Sequence, residues 1–549
     1  MRRCNPIGPL GLASLLVLQS GLIARVSAAP DALAPLVRSF DAYSKDLKRL
    51  DQIWEGGGDE VSTNLPVLKA PAADALPVNP IEVEINEEVR VDLPEAIALA
   101  VRNDPLLQSN IAGVRKQQGL LRSVQGRLYP TVSLNIGGEY NQQMNKNFAW
   151  KGNDSIPGYV PNTLPYVRSG GQNRYQTNIA SGSASLSVDY ELLSFERSAA
   201  LAEFAAELEQ SNQLYGNRLR QLQLDVSEAY YQLQLAGQLK RIRQVVVTND
   251  EVILDQIVAM NTVGLVPRVD LLRAEANLQQ RRFLLSQAEA NLLSRRRRLS
   301  NLVNVPFSVT LEARDEVRLQ EPWPLGLDET IVQGFQDNPQ LKALQAARSA
   351  LLRKADRQAA ELMPRLGLFV AAGYLAAQSR SPLVELDGCC GSPIFVPGLN
   401  SQAGDWAAGF RLNWRLFDGG VTAGAVEASK AAADQVLQRE AAERNAIRQK
   451  LETAYYDHRA ALSQIIAANS SYKSARDAYR DMRARYEFGL ADYTDLADTI
   501  SSLTTAMEQK ASAMTSANIS YSRLLRELLV VPRTPESPVT LPVTLPTQS

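Results

Sequence analysis

The sequence has 549 residues but only one histidine and three cysteines, so it offers little material for metal or thiol chemistry. Zinc, haem and iron–sulfur sites each need several such ligands. No Ser/His/Asp or Cys/His constellation can be assembled, and no glycine-rich phosphate-binding loop is present. We therefore expect a protein without enzymatic activity, metal or cofactor.

A strong charge of either sign and long apolar runs are missing as well. The 58 basic and 59 acidic side chains give a formal net charge of −1, which favours no nucleic-acid partner. Beyond the N-terminal segment no apolar run reaches the roughly 18 residues of a membrane-spanning helix. With a mean hydropathy of −0.19, a bundle of transmembrane helices is excluded.

The segment 1–28 has the order of a secretory signal peptide. Two arginines precede a mostly apolar stretch at 10–23, and a small-residue cleavage site ends at Ala28. We expect the mature chain to be exported. The following segment, 29–92, is interpreted as an N-terminal periplasmic extension without an assigned role.

The rest of the chain repeats itself. Short motifs recur in the same order at a nearly constant spacing, which predicts two copies at 93–306 and 327–532, joined by a linker at 307–326. The clearest pairs are Asn103-Asp104-Pro105 with Asp337-Asn338-Pro339, Ala229-Tyr230-Tyr231 with Ala454-Tyr455-Tyr456, and Val305-Pro306 with Val531-Pro532. The proline-spaced tail at 533–549 is typical of disorder.

Within each copy the hydrophobic pattern changes between strand and helix. Four segments alternate apolar and polar residues over about ten residues each, the length of a tilted strand that crosses a bilayer. They lie near 132–140, 184–192, 366–374 and 406–416. Each strand pair is followed by a very long helix and a shorter return helix, at 196–262 with 268–303 and at 421–487 with 492–528. The longest would extend roughly 100 Å, which suits a coiled coil or a helical tube.

The strands fit an outer-membrane barrel or, about equally well, a half-buried sheet of a soluble domain. Aromatic residues at both strand ends favour the membrane, where they form belts at the two interfaces. These are Tyr140, Tyr374 and Trp406 at the loop ends and Tyr190 and Trp414 at the helix ends. Four strands cannot close a barrel, and open edges are not tolerated in lipid. Several chains must then contribute strands, and three chains would supply twelve.

This plan resembles the TolC family of outer-membrane channels over about 93–532. The residues that carry the resemblance are Leu416-Phe417-Asp418-Gly419-Gly420 and the segments from Val263-Gly264-Leu265 to Asp270-Leu271 and from Phe488-Gly489-Leu490 to Asp495-Leu496. The resemblance implies an α+β membrane protein. In it, a trimeric twelve-stranded outer-membrane β-barrel, four strands per chain, continues into a long periplasmic α-helical coiled-coil barrel.

The same resemblance implies a function and partners. Such a homotrimer is the exit duct of a tripartite multidrug efflux pump or a type I secretion system, and it passes solutes or polypeptides passively. It lies in outer-membrane lipid and joins an inner-membrane transporter through a periplasmic adaptor (membrane fusion) protein. Two rival classes are an exported soluble coiled-coil scaffold and the adaptor itself, although adaptors carry no duplicated plan with four amphipathic strands.

Carboxylates near the two Gly-Leu turns are candidates for a periplasmic gate. Asp270 and Asp495 follow the turns in the first turn of each return helix, where helix capping alone would favour an aspartate. Capping explains less well the presence of Asp498, which lies on the same helix face as Asp495. In a trimer, Asp495 and Asp498 would form two stacked carboxylate rings that attract cations. The family resemblance assigns both to the periplasmic constriction.

The resemblance also assigns a latch and a docking surface. Tyr486 and Asp270 match partners in hydrogen bonds that hold the hairpins closed. Ala491 stands where the family can carry a bracing arginine, which predicts a weaker latch. The candidates for adaptor docking are the turn residues Gly264, Leu265, Gly489 and Leu490. Exposed leucines suit a small apolar contact, but each leucine could equally pack across its own turn.

Three further features are interpreted as structural. The run 295–298 is all arginine, and on a helix its members point in different directions, which predicts a solvated collar. His458 has no second histidine with which to share a metal. Cys389-Cys390 is compatible with a vicinal disulfide or with a tied external loop.

Overall fold

The computed structural model describes residues 68–148, 172–315, 317–386 and 396–532, together with 534–537, 539 and 541–545. The signal peptide at 1–28, most of the extension and Cys389-Cys390 lie outside the described residues.

Both halves of the chain have the same order of elements. The first half contains β1 (Glu87–Val91), α1 (Leu93–Asn103), α2 (Pro105–Gly126), β2 (Thr131–Phe148), β3 (Gln172–Leu193), α3 (Phe195–Thr262) and α4 (Arg268–Val303). The second contains β4 (Val309–Ala313), α5 (Leu327–Gln336), α6 (Pro339–Ala359), β5 (Arg365–Leu386), β6 (Val396–Asn413), α7 (Val421–Glu487) and α8 (Tyr493–Leu528). The four long helices begin and end within one residue of the ranges expected from the sequence.

The repeated Asp/Asn-Pro motif starts a helix in each half. The side chain of Asp104 accepts a hydrogen bond from the backbone N–H of Leu107, and Asn338 accepts one from Gln340. Each cap is followed by a proline at the first helical position, which needs no hydrogen-bond donor there. The motif therefore fixes where α2 and α6 begin, just after the short helices α1 and α5.

The four long strands form one antiparallel sheet in the order β2-β3-β5-β6. Leu134 lies opposite Leu186, and Ala184 lies opposite Tyr374. The outer strands, β2 and β6, each have one edge without a partner among the described residues. The described part of the sheet is therefore open at both sides.

The strands are longer than the expected ten residues. β2 and β6 have 18 residues, and β3 and β5 have 22. The expectation was too short because the outer ends, such as 141–147, are almost entirely polar and carry no apolar alternation. Tyr140 and Tyr374 consequently lie in the middle of their strands rather than at the loop ends, and Trp414 lies just beyond β6.

The long helices form two hairpins that pack side by side. The first hairpin is α3 with α4, and the second is α7 with α8. α3 packs on α4 and on α8, and α8 packs on α7. The helices therefore follow the spatial order α4-α3-α8-α7, with α4 and α7 at the two ends of an open arc.

A two-stranded parallel sheet connects the extension to the linker. β1 pairs with β4, starting with Glu87 opposite Val309, over a core that includes Val91, Leu222 and Leu311. The segments named as extension and linker therefore fold together against the first hairpin.

The expectation of disorder in the tail is wrong for its described residues. Leu541 is only 8% exposed and joins the core beside β1 and β4. Gln223 donates a hydrogen bond to the carbonyl of Pro542, and the N–H of Leu545 donates to Tyr521 Oη at 3.1 Å. Apolar residues spaced between the prolines pack across both hairpins, because an extended chain can bury alternate side chains.

Candidate functional site

Both hairpins turn at their tips by the same backbone motif. Gly264 and Gly489 adopt φ values of 77° and 72°, a conformation that costs glycine least. The N–H of Leu265 donates to the carbonyl of Met260 at 2.9 Å, and the N–H of Leu490 donates to that of Arg485 at 2.8 Å. This pattern is the Schellman motif, which satisfies the last carbonyls of α3 and α7.

The leucines after these glycines project into solvent. Leu265 is 76% exposed and Leu490 is 77% exposed. In many Schellman motifs the corresponding side chain packs back on the preceding turn, but neither leucine does so here. Val263 and Phe488 are also exposed. The tips therefore present four accessible apolar side chains.

Asp495 and Asp498 lie at the start of α8, and both are exposed. The helix cap is a different residue, Asp492, whose side chain accepts a hydrogen bond from the N–H of Asp495 at 3.0 Å. Neither Asp495 nor Asp498 forms an ion pair within the part of the chain that the structure describes. Both carboxylates are therefore accessible to an ion.

The expected hydrogen bond between Tyr486 and Asp270 is not made. Tyr486 is 6% exposed, and its hydroxyl has no hydrogen-bond partner among the described residues. Burial, followed by the nearby charge of Asp270, raises the pKa of Tyr486. Asp270 instead lies 3.6 Å from Arg273, one turn along α4. A local partner thus competes for the carboxylate.

Other polar pairs, which the sequence did not indicate, join the two hairpins. We call this region the hairpin junction, and it contains four contacts between α3 or α4 and α7 or α8. They are Tyr479 Oη to Asn249 Oδ1 at 2.8 Å, Asn277 Nδ2 to Tyr493 Oη at 3.0 Å, Arg273 Nη1 to Thr494 Oγ1 at 3.1 Å, and Arg243 Nε to Glu508 Oε1 at 2.9 Å. The partners are far apart in sequence and share no motif, so no local signal identifies them.

Apolar side chains fill the hairpin junction between these contacts. Ile253 and Ile257 of α3 pack with Leu496 and Ile500 of α8, and all four are buried. An apolar contact has no directional preference, whereas a hydrogen bond does. The polar pairs of the hairpin junction therefore contribute to the register of the two hairpins.

The model of the family described as "Outer membrane efflux protein" matches residues 96–305 and 331–528, which lie in the two halves. The chain belongs to this family. It is therefore an outer-membrane efflux channel protein that extends into the periplasm, and the rival classes of soluble scaffold and adaptor are not favoured. No curated protein matches this chain.

Solved structures of efflux channels share the fold of this family member. The outer-membrane channel OprN is 18% identical, with a TM-score of 0.63, and the match covers 86% of this chain and 98% of that one. VceC from Vibrio cholerae is 16% identical, with a TM-score of 0.60, covering 79% and 95%. CmeC from Campylobacter jejuni is 14% identical, with a TM-score of 0.60, covering 85% and 94%.

The arginine run of this efflux protein is not a solvated collar. Arg296 bonds to Glu88 at 3.0 Å and to Glu312 at 2.5 Å, and its side chain is largely buried. Arg297 donates to the carbonyls of Phe307 and Val309. Arg296 and Arg297 therefore anchor the small β1–β4 sheet to α4, whereas Arg295 and Arg298 bond to Gln232 of α3.

His458 has a structural role. Its Nε2 accepts a hydrogen bond from the N–H of Trp323 at 3.3 Å, so the proton lies on Nδ1, which faces the carbonyl of Ala517 at 3.2 Å. Burial lowers the pKa of His458, which keeps the ring neutral. The histidine thus connects the linker to α7 and α8.

Within the described ranges, no group of three or more His, Cys, Asp or Glu side chains is placed to hold a metal ion. The helices described there include none with a stretch long and apolar enough to span a bilayer.

Proposed function

We propose that three copies of this efflux protein assemble into one continuous duct, which is closed at the hairpin tips and opens to release solutes or polypeptides. The observation that carries this proposal is that the described part of the chain has two unpartnered ends in the sheet and two in the helical layer. The sheet ends in the free edges of β2 and β6, and the helical arc ends in α4 and α7.

Closure of the sheet requires other copies. A strand edge in lipid leaves backbone N–H and C=O groups without partners, which costs several kcal/mol per group. Pairing β6 of one copy with β2 of the next satisfies both edges by the same rotation. Three copies of four strands give a twelve-stranded barrel.

The surface of α4 supports the same arrangement, in which each copy is related to the next by one rotation. Its exposed residues include a run with the alternating three- and four-residue spacing of a coiled-coil seam. The members are Val269, Leu272, Ala276, Gln279, Phe283, Ser286, Ala290 and Leu293. A seam of this kind buries its apolar members against another helix, and α7 of the next copy is the free end that the rotation brings to it.

A seam variant tests the assembly. Phe283→Glu places a charge in the seam, and the control Gln280→Glu places the same charge on an exposed position of α4 outside it. We expect detergent-extracted wild type and Gln280→Glu to have the mass of a trimer and Phe283→Glu to dissociate. A monomeric mass for the wild type would overturn the proposal.

In this trimer, Asp495 and Asp498 form the constriction. Three copies place their exposed carboxylates around one axis, where like charges repel and cations are attracted. The duct itself supplies no energy, so solutes pass when the hairpins separate at the hairpin junction.

The apolar tips are the proposed docking surface for a periplasmic adaptor, which in turn joins an inner-membrane transporter. Gly264 and Gly489 shape the turns, and Leu265 and Leu490 supply the exposed apolar contact. Cysteines at 266 and 491 should cross-link to a co-expressed adaptor. The control Ser463→Cys, exposed in the middle of α7, should not. Equal labelling at all three positions would contradict docking at the tips.

A further inference from the structure

Asp250 is a buried carboxylate at the hairpin junction that the proposed gate does not use. It lies on α3 and is 8% exposed. Its Oδ1 has no hydrogen-bond partner among the described residues. Its Oδ2 lies 3.6 Å from Nε of Arg281 on α4, which is too long for a strong hydrogen bond.

The groups around Asp250 come from α3 itself and from two other helices. α4 contributes Arg281, the cation that faces it. α8 contributes Tyr493, whose pKa is raised by burial and, to a smaller extent, by the charge of Asp250. α3 contributes the adjacent Asn249, which accepts the hydrogen bond of Tyr479 from α7 and favours the charged form of Asp250. The carboxylate is therefore enclosed by both hairpins.

Burial dominates the protonation of Asp250. It raises the pKa of this carboxyl group to about 6, although Arg281 and Asn249 act in the opposite direction. The ionised form is thus poorly compensated in the packed arrangement. A single cation at 3.6 Å does not replace the water that burial removes.

We propose that Asp250 is a proton-linked positioning residue of the gate: packing of the hairpins favours the protonated form of its carboxyl group, and their separation admits water and favours release of the proton. The proposal rests on the proposed opening of the hairpins.

The sign of the pH effect follows from linkage. A carboxyl group whose pKa is higher in the packed state than in water binds a proton on closing, so acid stabilises the closed arrangement. For full hydration on opening, the closed-to-open ratio rises roughly tenfold per chain from pH 7.5 to pH 5. The effect develops as the pH falls through about 6 and is complete near the pKa of about 4 of a hydrated aspartate.

Channel recordings of the full-length protein in planar bilayers at pH 7.5 and pH 5 test the proposal. We expect the wild type to be open less often at pH 5. Asp250→Asn, which mimics the protonated form, should be rarely open at both values. The control Asp255→Asn, exposed on the same helix, should behave as the wild type does. Asp250→Asn with the full wild-type pH response would overturn the inference.

Two further experiments separate the role of Asp250 from that of the carboxylate rings and from a loss of channel activity. The same recordings in the Asp495→Asn/Asp498→Asn background exclude any contribution of the carboxylate rings. In this background, the pH dependence of the open probability should still be lost when Asp250 is replaced by Asn. Spin labels at Val258 and Ala484, exposed on α3 and α7, report hairpin separation without any channel activity. Absence of channels would contradict the duct, whereas a label distance that does not depend on pH would contradict the role of Asp250.

Discussion

Tyr479 of α7 donates a hydrogen bond of 2.8 Å to the side chain of Asn249 on α3 and so ties the second hairpin to the first. Tyr486, two turns further along α7, is more deeply buried, yet its hydroxyl has no partner among the described residues. The tyrosine of α7 that bonds to the first hairpin is therefore not the one that the family resemblance indicated.

Replacing these two tyrosines should have different effects. Tyr479→Phe removes a hydrogen bond and leaves Asn249 with an unpaired carbonyl, which should lower the free energy of unfolding by roughly 1 kcal/mol. It should also raise the open probability of the channel. Tyr486→Phe removes only an unsatisfied hydroxyl and should leave both quantities unchanged or stabilise the closed state slightly.

Thermal unfolding and bilayer recordings of the two variants check this prediction. If Tyr486→Phe opened the channel and Tyr479→Phe did not, the latch would lie where the resemblance placed it.

At the start of α8, helix capping and ion binding are assigned to different aspartates, Asp492 and Asp495. Asp492→Ala removes the N-cap and should destabilise the protein by roughly 1 kcal/mol. Asp495→Asn keeps a similar shape and leaves that cap intact, so it should change the ion selectivity of the channel and little else. Hydrogen exchange of the first turn of α8 measures the cap. Faster exchange in Asp495→Asn than in Asp492→Ala would reverse the two roles.

The tip turns should tolerate a substitution of the exposed leucine better than a substitution of the glycine with a positive φ. Gly489→Ala forces a residue with a Cβ to a φ of 72° and should cost roughly 1–2 kcal/mol. Leu490→Ser alters an exposed side chain and should change stability by less than about 0.5 kcal/mol. Cross-linking to the adaptor, however, should fall in Leu490→Ser. Unchanged cross-linking together with lower stability would show that this leucine serves the fold rather than docking.

The long helices were predictable because their sequences are free of proline over very long runs and end at recognisable turns. An N-cap and a following proline act locally, so the Asn103-Asp104-Pro105 motif and its second copy also determine where α2 and α6 begin, although we interpreted them from the sequence only as evidence of the repeat. The turns at Gly264 and Gly489 were predictable for the same reason, because only a few residues determine them.

The hairpin junction was not predictable, since its partners are distant in the chain and differ in type. Asn249 and Tyr479 occupy no corresponding positions in the two repeats, and nothing near either residue indicates the other. The ends of the strands were missed because polar residues such as 141–143 pair through the backbone alone. Backbone pairing leaves no mark in the hydrophobic pattern.

The tail was misjudged from its composition. Prolines prevent regular structure, but Leu541 is buried in the core beside β1 and β4. Leu541→Ala should therefore lower the free energy of unfolding by about 2–3 kcal/mol, as for other buried leucines. Ser537→Ala, at an exposed tail position, is the matched control and should have little effect. If chemical denaturation gave the same negligible change in the free energy of unfolding for both variants, the tail would be disordered as the sequence indicated.

Single-channel conductance and ion selectivity of the purified protein, compared between wild type and Asp495→Asn/Asp498→Asn, test whether the hairpin tips form the constriction of the channel. We expect small, cation-selective steps for the wild type, and larger or less selective steps for the double variant, because two rings of carboxylates are neutralised at the constriction. Wild-type steps with unchanged size and selectivity in the double variant would contradict a gate at the hairpin tips.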